Sequence, residues 1–206
     1  MVFLCSGLVK CPLALIPKSK IPLKKIRDEI IPNNKIELLF YDEAFLRRES
    51  TITRGWFPRG HKSQVKCPIT KEKVGVCGAV NHRNGRLFSL IFDGFDSDTF
   101  IYYLKWLIRN FKTRKKIVLV LDNASSHKSN KVAEFVEIHK KRLELLFLPP
   151  YSPELNPVER VWKNLRYRVT HNTFFENLIA LENAVIEYLK DHAKPNERLK
   201  SLCCIN

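Results

Sequence analysis

The pattern of apolar and polar positions divides most of the chain into short strand-like and longer helix-like segments. Apolar runs rich in Val, Ile and aromatic residues predict strands, whereas apolar residues at every third or fourth position predict amphipathic helices. By these patterns we predict strands at 35–41, 74–81, 87–92, 116–121 and 143–148. Helices are predicted at 96–111, 129–141, 157–169 and 174–191.

The order of these elements indicates an α/β fold with a mixed sheet. An Asn84-Gly85 pair between the second and third strands predicts a hairpin, because this pair suits a tight turn. The uninterrupted apolar strand 116–121 suits a position buried on both faces of a sheet. It is followed by a helix and another strand, which favours a parallel crossover. We therefore expect five strands, three antiparallel and then two parallel, flanked by helices.

The chain divides into one predicted domain and two shorter segments. Residues 1–34 form an irregular basic lead-in with four prolines and room for a short helix near 24–31. Residues 35–192 contain every predicted strand and long helix, so they form the expected folded domain. Residues 193–206 are expected to be a C-terminal tail.

The charge of the chain indicates a polyanionic partner. There are 36 Lys and Arg residues against 21 Asp and Glu, which gives a formal net charge of +15. Basic side chains that contact nucleic acid release condensed counterions, so this excess favours nucleic-acid binding. A ribosomal or membrane-surface protein would also be consistent with charge alone.

Neither membrane insertion nor export is expected from the sequence. No apolar run reaches the roughly 20 residues of a membrane span, and the apolar start is interrupted by Lys10 and Pro12. A signal peptide is therefore not expected. The six cysteines form no C-x-x-C pair, which argues against a zinc site and suits a reducing cytoplasm.

Three acidic residues stand where strands end or a helix begins. Asp42 follows the first predicted strand, Asp122 follows the strand 116–121, and Glu159 lies near the start of the helix 157–169. If the two strands are neighbours, their carboxylates lie close together and repel each other. Mg²⁺ removes that conflict, since it prefers oxygen ligands and commonly uses one or two carboxylates with water and phosphate.

Each acid has an alternative explanation. Glu43 stands beside Asp42 and is an alternative ligand at that position. Asp122 is followed by Asn123, and such a pair also occurs in simple turns. Glu159 falls where a capping-box glutamate would stand if Asn156 caps the helix. A further acidic group at Asp93, Asp96 and Asp98 is interpreted as a loop and a helix N-terminus.

Three segments that carry these acids resemble one known family. They are IELLFYDEAF, IVLVLDNASSH and LPPYSPELNPVERVW, which contain Asp42, Asp122 and Glu159. In this order they resemble the catalytic domain of DDE transposases, in the mariner-type branch of bacterial and archaeal insertion sequences. Between Asp122 and Glu159 lie 36 residues, and the Asn-Pro-Val-Glu run matches the family's third acid. The resemblance implies a ribonuclease-H-like fold with Asp42, Asp122 and Glu159 as catalytic and metal-binding residues.

The resemblance also implies a reaction and its partners. It predicts a magnesium-dependent endonuclease and polynucleotidyl transferase that cuts DNA strands and joins them in cut-and-paste transposition of an insertion sequence. Two Mg²⁺ ions would be bound, with Asp42 shared between them, and Mn²⁺ is expected to substitute. No small-molecule cofactor is expected. The partners would be transposon ends and target DNA, bound by a homodimer in the cytoplasm and associated with the nucleoid.

Several other residues are expected to support the site or contact DNA. Asn123 would orient the metal surroundings and His127 would position the site or touch phosphate. Basic residues around Trp56 and Phe57 suit phosphate contact, although they also suit a solvated structural loop. On the helix that carries Glu159, two basic residues share its polar face. The predicted DNA contacts are Arg54, Arg59, Lys62, Lys163 and Arg166.

The segment before Asp42 is short for this family. Relatives have helix-turn-helix modules there, and residues 1–34 contain no complete one. We therefore expect a catalytic fragment, one half of a split transposase or a decayed copy. Two alternatives remain open: an inactive nucleic-acid-binding remnant, and a different nuclease with a ribonuclease-H-like fold.

Overall fold

Five strands form one mixed sheet in the computed structural model of the chain, which describes residues 24–53, 59, 64–111, 114–150 and 155–203. The order across the sheet is β3-β2-β1-β4-β5. β1, β2 and β3 are antiparallel neighbours, and β4 and β5 run parallel to β1. The predicted arrangement of three antiparallel strands followed by two parallel ones is confirmed. The strands are β1 (Ile36–Arg47), β2 (Lys73–Asn81), β3 (Leu87–Phe92), β4 (Lys116–Leu121) and β5 (Leu143–Phe147).

Helices cover both faces of the sheet. They are α1 (Ser97–Asn110), α2 (Asn130–Ile138), α3 (Val158–Val169), α4 (Leu178–His192) and α5 (Glu197–Leu202), with a π-helical turn at Ile26–Ile30 and a 3₁₀ turn at Ser125–Lys128. Among the described helices, none combines the length and the apolar character that a membrane span requires.

The alternation of side chains along the strands separates two hydrophobic layers. In β1, Leu38 and Phe40 face the layer that contains α3, α4 and α5. Leu39 and Tyr41 face the opposite layer, which α1 and α2 cover. Residues on either side of the predicted 35–192 domain also enter the first layer, including Ile26 and Leu199.

β1 is longer than its sequence predicts. The predicted strand ends at Tyr41, whereas the structure continues to Arg47 because β1 pairs with β2 over this whole stretch, including Asp42 opposite Gly78. Pairing with β4 extends only to Phe40 opposite Val120. Asp42 therefore lies inside a strand, but beyond the point where the parallel neighbour ends.

Two helices begin later than predicted because asparagine and serine side chains cap them. Ser129 accepts a hydrogen bond from the backbone of Val132 and precedes α2. Asn177 accepts one from the backbone of Ala180 and precedes α4. The predicted helix starts at 129 and 174 included these capping residues or the turn before them.

Candidate active site

The parallel pairing of β1 and β4 brings Asp42 and Asp122 to the same level of the sheet. Phe40 is paired with Val120, and each acid lies two residues further along its own chain. Alternate residues along a strand face the same side. Asp42 and Asp122 therefore continue the rows of Phe40 and Val120, which face the layer that contains α3. The two acids therefore come from neighbouring positions at the carboxyl end of β4.

Asn156 anchors the start of α3 beside Asp42. This buried side chain donates from Nδ2 to the backbone carbonyl oxygen of Tyr41 at 2.8 Å. Its Oδ1 accepts from the backbone N–H of Val158 at 3.2 Å, which satisfies one amide at the helix start. Glu159, in the first turn of α3, is thereby held close to Asp42, the residue that follows Tyr41.

Close packing also fixes the distance between α3 and the sheet. Gly78 is the partner of Asp42 on β2, and a Cβ atom there would lie 3.1 Å from Cη2 of Trp162. The Trp162 side chain is only 2% exposed. A glycine at this position thus allows α3 to lie close to the sheet.

The structure removes the alternative explanation of Glu159 as a capping-box residue. Asn156 does cap the start of α3 through Val158, but a capping box also needs the Glu159 carboxylate to accept from the backbone N–H of Asn156. The carboxylate of Glu159 forms no hydrogen bond or ion pair with any described residue. It does interact electrostatically with Asp42.

The three acids share one electrostatic environment. The pKa of Asp42 is raised to about 7, chiefly by burial and also by the negative charges of Asp122, Glu159 and Glu43, against an opposing hydrogen bond from the Glu43 backbone. A carboxyl group with such a pKa is costly to ionise unless a cation balances the charge. The cluster is therefore suited to binding positive charge.

The donor set fits divalent cations held by pairs of carboxylates. Within the described residues, no three His, Cys, Asp or Glu side chains are arranged to hold one metal ion together. Mg²⁺ does not need three protein ligands, because it retains water and binds substrate phosphate oxygens. Asp42 interacts electrostatically with both Asp122 and Glu159, so it is the acid available to pair with either one.

His127 links Asp122 to a second carboxylate. Its Nδ1 lies 3.0 Å from Oδ1 of Asp122, and its Nε2 lies 3.2 Å from Oε1 of Glu43. Burial by itself lowers the pKa of His127, but the hydrogen bonds and charges of both acids outweigh it and raise the pKa to about 9. The same bond to His127 holds the pKa of Asp122 below its usual value.

Glu43 belongs to the opposite face of β1 from Asp42. It accepts a hydrogen bond from the hydroxyl of Tyr41 at 3.0 Å, and Tyr41 lies in the hydrophobic layer under α1 and α2. The geometry therefore favours Asp42, rather than Glu43, as the strand's member of the acidic cluster. The sequence interpretation missed this pairing of Glu43 with His127.

The remaining predicted residues differ in how they are placed. Asn123 donates from Nδ2 to the carbonyl oxygen of Leu148, which ties the end of β4 to the end of β5. Lys163 is exposed and Arg166 is partly buried on α3, and Arg59 is exposed. Arg54 and Lys62 lie outside the described residues.

The cluster at Asp93–Asp98 is a helix start, as expected from the sequence. Asp96 accepts hydrogen bonds from the backbone N–H groups of Asp98 and Thr99 and caps α1. Asp98 is paired with Lys131 at 3.0 Å.

The fold matches that of a solved transposase domain. The structure of the Mos1 transposase catalytic domain with raltegravir and Mg superposes with a TM-score of 0.59 at 16% identity, over 89% of this chain and 83% of that one. The ribonuclease-H-like fold is thereby confirmed.

Curated relatives are similar over parts of their sequences. A 39 kDa protein of insertion element IS630 from Shigella sonnei is 31% identical over 135 residues, which are 65% of this chain and 39% of the relative. The Tc3 transposase of Caenorhabditis elegans is 32% identical over 91 residues, 44% of this chain and 26% of the relative. The chain thus spans well under half the length of these two proteins.

A family comparison covers most of the chain. Residues 37–182 match the family described as DDE superfamily endonuclease. This range contains the acids Asp42, Asp122 and Glu159 together with His127. The chain therefore belongs to the DDE superfamily endonuclease family.

Proposed function

We propose that this chain supplies the catalytic domain of a transposase that cuts DNA and joins the freed end to a target in cut-and-paste movement of an insertion sequence. The observation that carries the proposal is the electrostatic coupling of Asp42 in β1 to Asp122, directly after β4, and to Glu159 in the first turn of α3. The family match and the likeness to transposases support the same reaction class.

Asp42, Asp122 and Glu159 are the residues that would hold two Mg²⁺ ions, and Mn²⁺ would substitute. Asp42 would be shared between them, while Asp122 and Glu159 would each hold one ion. When bound, such ions activate the attacking oxygen and stabilise the leaving oxygen of a phosphodiester. The raised pKa of Asp42 supports this assignment, since it reflects a carboxylate in need of positive charge.

The surrounding side chains position these acids and the substrate. His127 holds one oxygen of Asp122, and Asn123 fixes the chain that follows it. Asn156 keeps the first turn of α3 at the acidic edge of the sheet. Lys163 and Arg166 follow Glu159 along α3 and would contact DNA phosphates there, as would Arg54, Arg59 and Lys62.

The partners would be transposon ends and target DNA, engaged by a homodimer in the cytoplasm at the nucleoid. The net charge of +15 supports a DNA partner.

A nicking assay on supercoiled plasmid tests the catalytic assignment. With Mg²⁺ or Mn²⁺ the chain should nick DNA, and Asp122→Asn should lower the rate by roughly 100-fold or more, as loss of a catalytic carboxylate does. The control is Asp98→Asn, which changes an exposed acid paired with Lys131. Equal nicking by wild type and Asp122→Asn would contradict the proposal. Preference for an RNA–DNA hybrid over duplex DNA would favour a different nuclease of the same fold.

A further inference from the structure

A continuous chain of hydrogen bonds connects the buried layer under α1 to the acidic site. The hydroxyl of Tyr41 donates to Oε1 of Glu43 at 3.0 Å, and the same oxygen accepts from Nε2 of His127 at 3.2 Å. The other ring nitrogen of His127 donates to Oδ1 of Asp122 at 3.0 Å. Carboxylates only accept, so both ring nitrogens act as donors when both bonds form.

The imidazole in this chain is held rigidly. The side chain of His127 is 3% exposed and stands in the 3₁₀ turn that follows β4. Its ring centroid lies 4.4 Å from that of Phe100 and 5.6 Å from that of Tyr41. Packing on two sides and a bond at each nitrogen leave the ring one orientation.

Asp122, by contrast, has little packing to orient it. Its side chain is 58% exposed and lies in the loop after β4. Both of its hydrogen bonds go to the same oxygen: Oδ1 accepts from His127 and from the backbone N–H of Ala124 at 3.0 Å. Oδ2 has no hydrogen-bond partner among the described residues. The carboxylate is thus fixed through one oxygen while the other stays available.

We propose that Glu43 is a positioning residue, which acts through His127 to fix the carboxylate of Asp122 with one oxygen left for a cation. This inference rests on the proposed function, since it concerns the same site. Glu43 lies on the opposite face of β1 from Asp42 and contacts His127 instead. Replacing Glu43 by a neutral side chain would weaken its bond to Nε2 of His127 and so loosen the side chain that, among the described residues, orients Asp122.

The experiment measures Mn²⁺ affinity and nicking kinetics together. Mn²⁺ binding is followed by the electron paramagnetic resonance of the free ion, and nicking is analysed for kcat and KM separately. The variants are Glu43→Gln, His127→Asn and the double variant. Glu49→Gln is the matched control, because Glu49 follows the same strand and makes only a 3.8 Å ion pair with Arg47.

We expect Glu43→Gln to weaken Mn²⁺ binding and lower kcat by about 10- to 100-fold, as loss of a residue behind a metal ligand does, with KM for DNA unchanged. In the His127→Asn background the same change should have less than about a twofold effect, because the two residues act in one chain. Glu49→Gln should match wild type.

Thermal unfolding of the metal-free variants separates positioning from simple stabilisation. If Glu43→Gln lowers only the melting temperature and leaves Mn²⁺ affinity and kcat unchanged well below it, the positioning role is overturned while the proposed function stands. Additive effects of Glu43→Gln and His127→Asn would also overturn it. If wild-type protein shows no Mn²⁺ binding that Asp122→Asn removes, the proposed function fails and the positioning role fails with it.

Discussion

Asn156 and Tyr41 are joined by a buried hydrogen bond of 2.8 Å between the amide nitrogen of one and the backbone carbonyl of the other. Tyr41 stands on β1 and Asn156 two residues before α3, and each is a neighbour of the acidic site: Tyr41 precedes Asp42, and Asn156 lies three residues before Glu159. One side chain therefore sets the relation between a strand acid and a helix acid.

Replacing Asn156 by alanine should weaken both stability and activity. The change removes the bond to Tyr41 and the capping bond to Val158, and it leaves a buried carbonyl without a partner. We expect a loss of about 2 kcal/mol in the free energy of unfolding, measured by urea denaturation. Nicking should fall further than this loss of stability explains, because Glu159 is no longer held at the sheet.

Asn177→Ala is the control for the Asn156 prediction. Asn177 caps α4 through Ala180, in a helix that contributes none of the three acids. The Asn177→Ala change should lower the free energy of unfolding by about 1 kcal/mol, the usual effect of losing a cap. Nicking should not change under conditions in which both variants are folded. Equal loss of activity in the two variants at matched stability would argue against a specific role for Asn156.

Gly78→Ala should push α3 away from the sheet. The added methyl group would lie 3.1 Å from Trp162, 3.3 Å from Leu87 and 3.3 Å from the carbonyl oxygen of Phe88. These neighbours belong to a closely packed layer, so we expect a destabilisation of about 1–3 kcal/mol, measured by thermal or urea unfolding. Nicking should decline as well, since Trp162 and Glu159 share α3.

Gly94→Ala is the matched control for the Gly78 change. No described atom lies within 4 Å of the position that a Cβ atom at Gly94 would take, and its backbone does not require glycine. This variant should retain the stability and nicking rate of wild type. If Gly78→Ala behaves in the same way, then α3 tolerates displacement and its close approach does not determine the site.

Sequence patterns predicted the sheet well, because strands have a regular alternation of side chains. They also drew attention to the acids. The antiparallel pairing of β2 with β3 followed from the hairpin signal at Asn84-Gly85, and the parallel direction of β4 and β5 from the crossover between them. The acids stood out since charged residues directly after apolar strands are conspicuous. The roles of Asp42, Asp122 and Glu159 as ligands stay a prediction that the experiments above test.

The contacts that organise the site were less predictable. The predicted strand ended at Tyr41, so the alternation that places Asp42 and Glu43 on opposite faces of β1 was not recognised. Ala44 and Leu46 nevertheless continue the apolar pattern beyond that point. The 3₁₀ turn that holds His127 is four residues long and has no periodicity to detect. The bond from Asn156 to Tyr41 joins residues 115 positions apart, which no local pattern reveals.

Asp42→Asn should stabilise the metal-free protein at alkaline pH. The pKa of Asp42 is raised from 3.8 to about 7 in the folded chain, so the folded state binds the extra proton between these values. Wild-type stability should therefore fall as pH rises from about 4 to about 7 and then level off. The asparagine variant lacks this fall, and it should be more stable at pH 8 by on the order of 2 kcal/mol after solvent screening.

Unfolding curves at pH 4 and pH 8 check this prediction. The advantage of Asp42→Asn should be small at pH 4, where wild-type Asp42 is already protonated in the folded state. Added Mn²⁺ should raise the melting temperature of wild type at pH 8 but not that of the variant. A variant that is less stable than wild type at pH 8 without metal would contradict the raised pKa of Asp42.

Substitution of Lys163 and Arg166 by alanine should weaken binding to duplex DNA and reduce its dependence on salt. Lys163 is exposed and Arg166 partly exposed on the helix that begins with Glu159. Each phosphate contact that is lost should lower the slope of log affinity against log salt by about 0.9. In the double variant the magnitude of this slope should therefore decrease by about 2. The slope is measured by fluorescence anisotropy on a labelled duplex at several salt concentrations. Lys105→Ala is the control, since Lys105 is exposed on α1 across the sheet, and an equal loss of slope there would indicate binding by net charge alone.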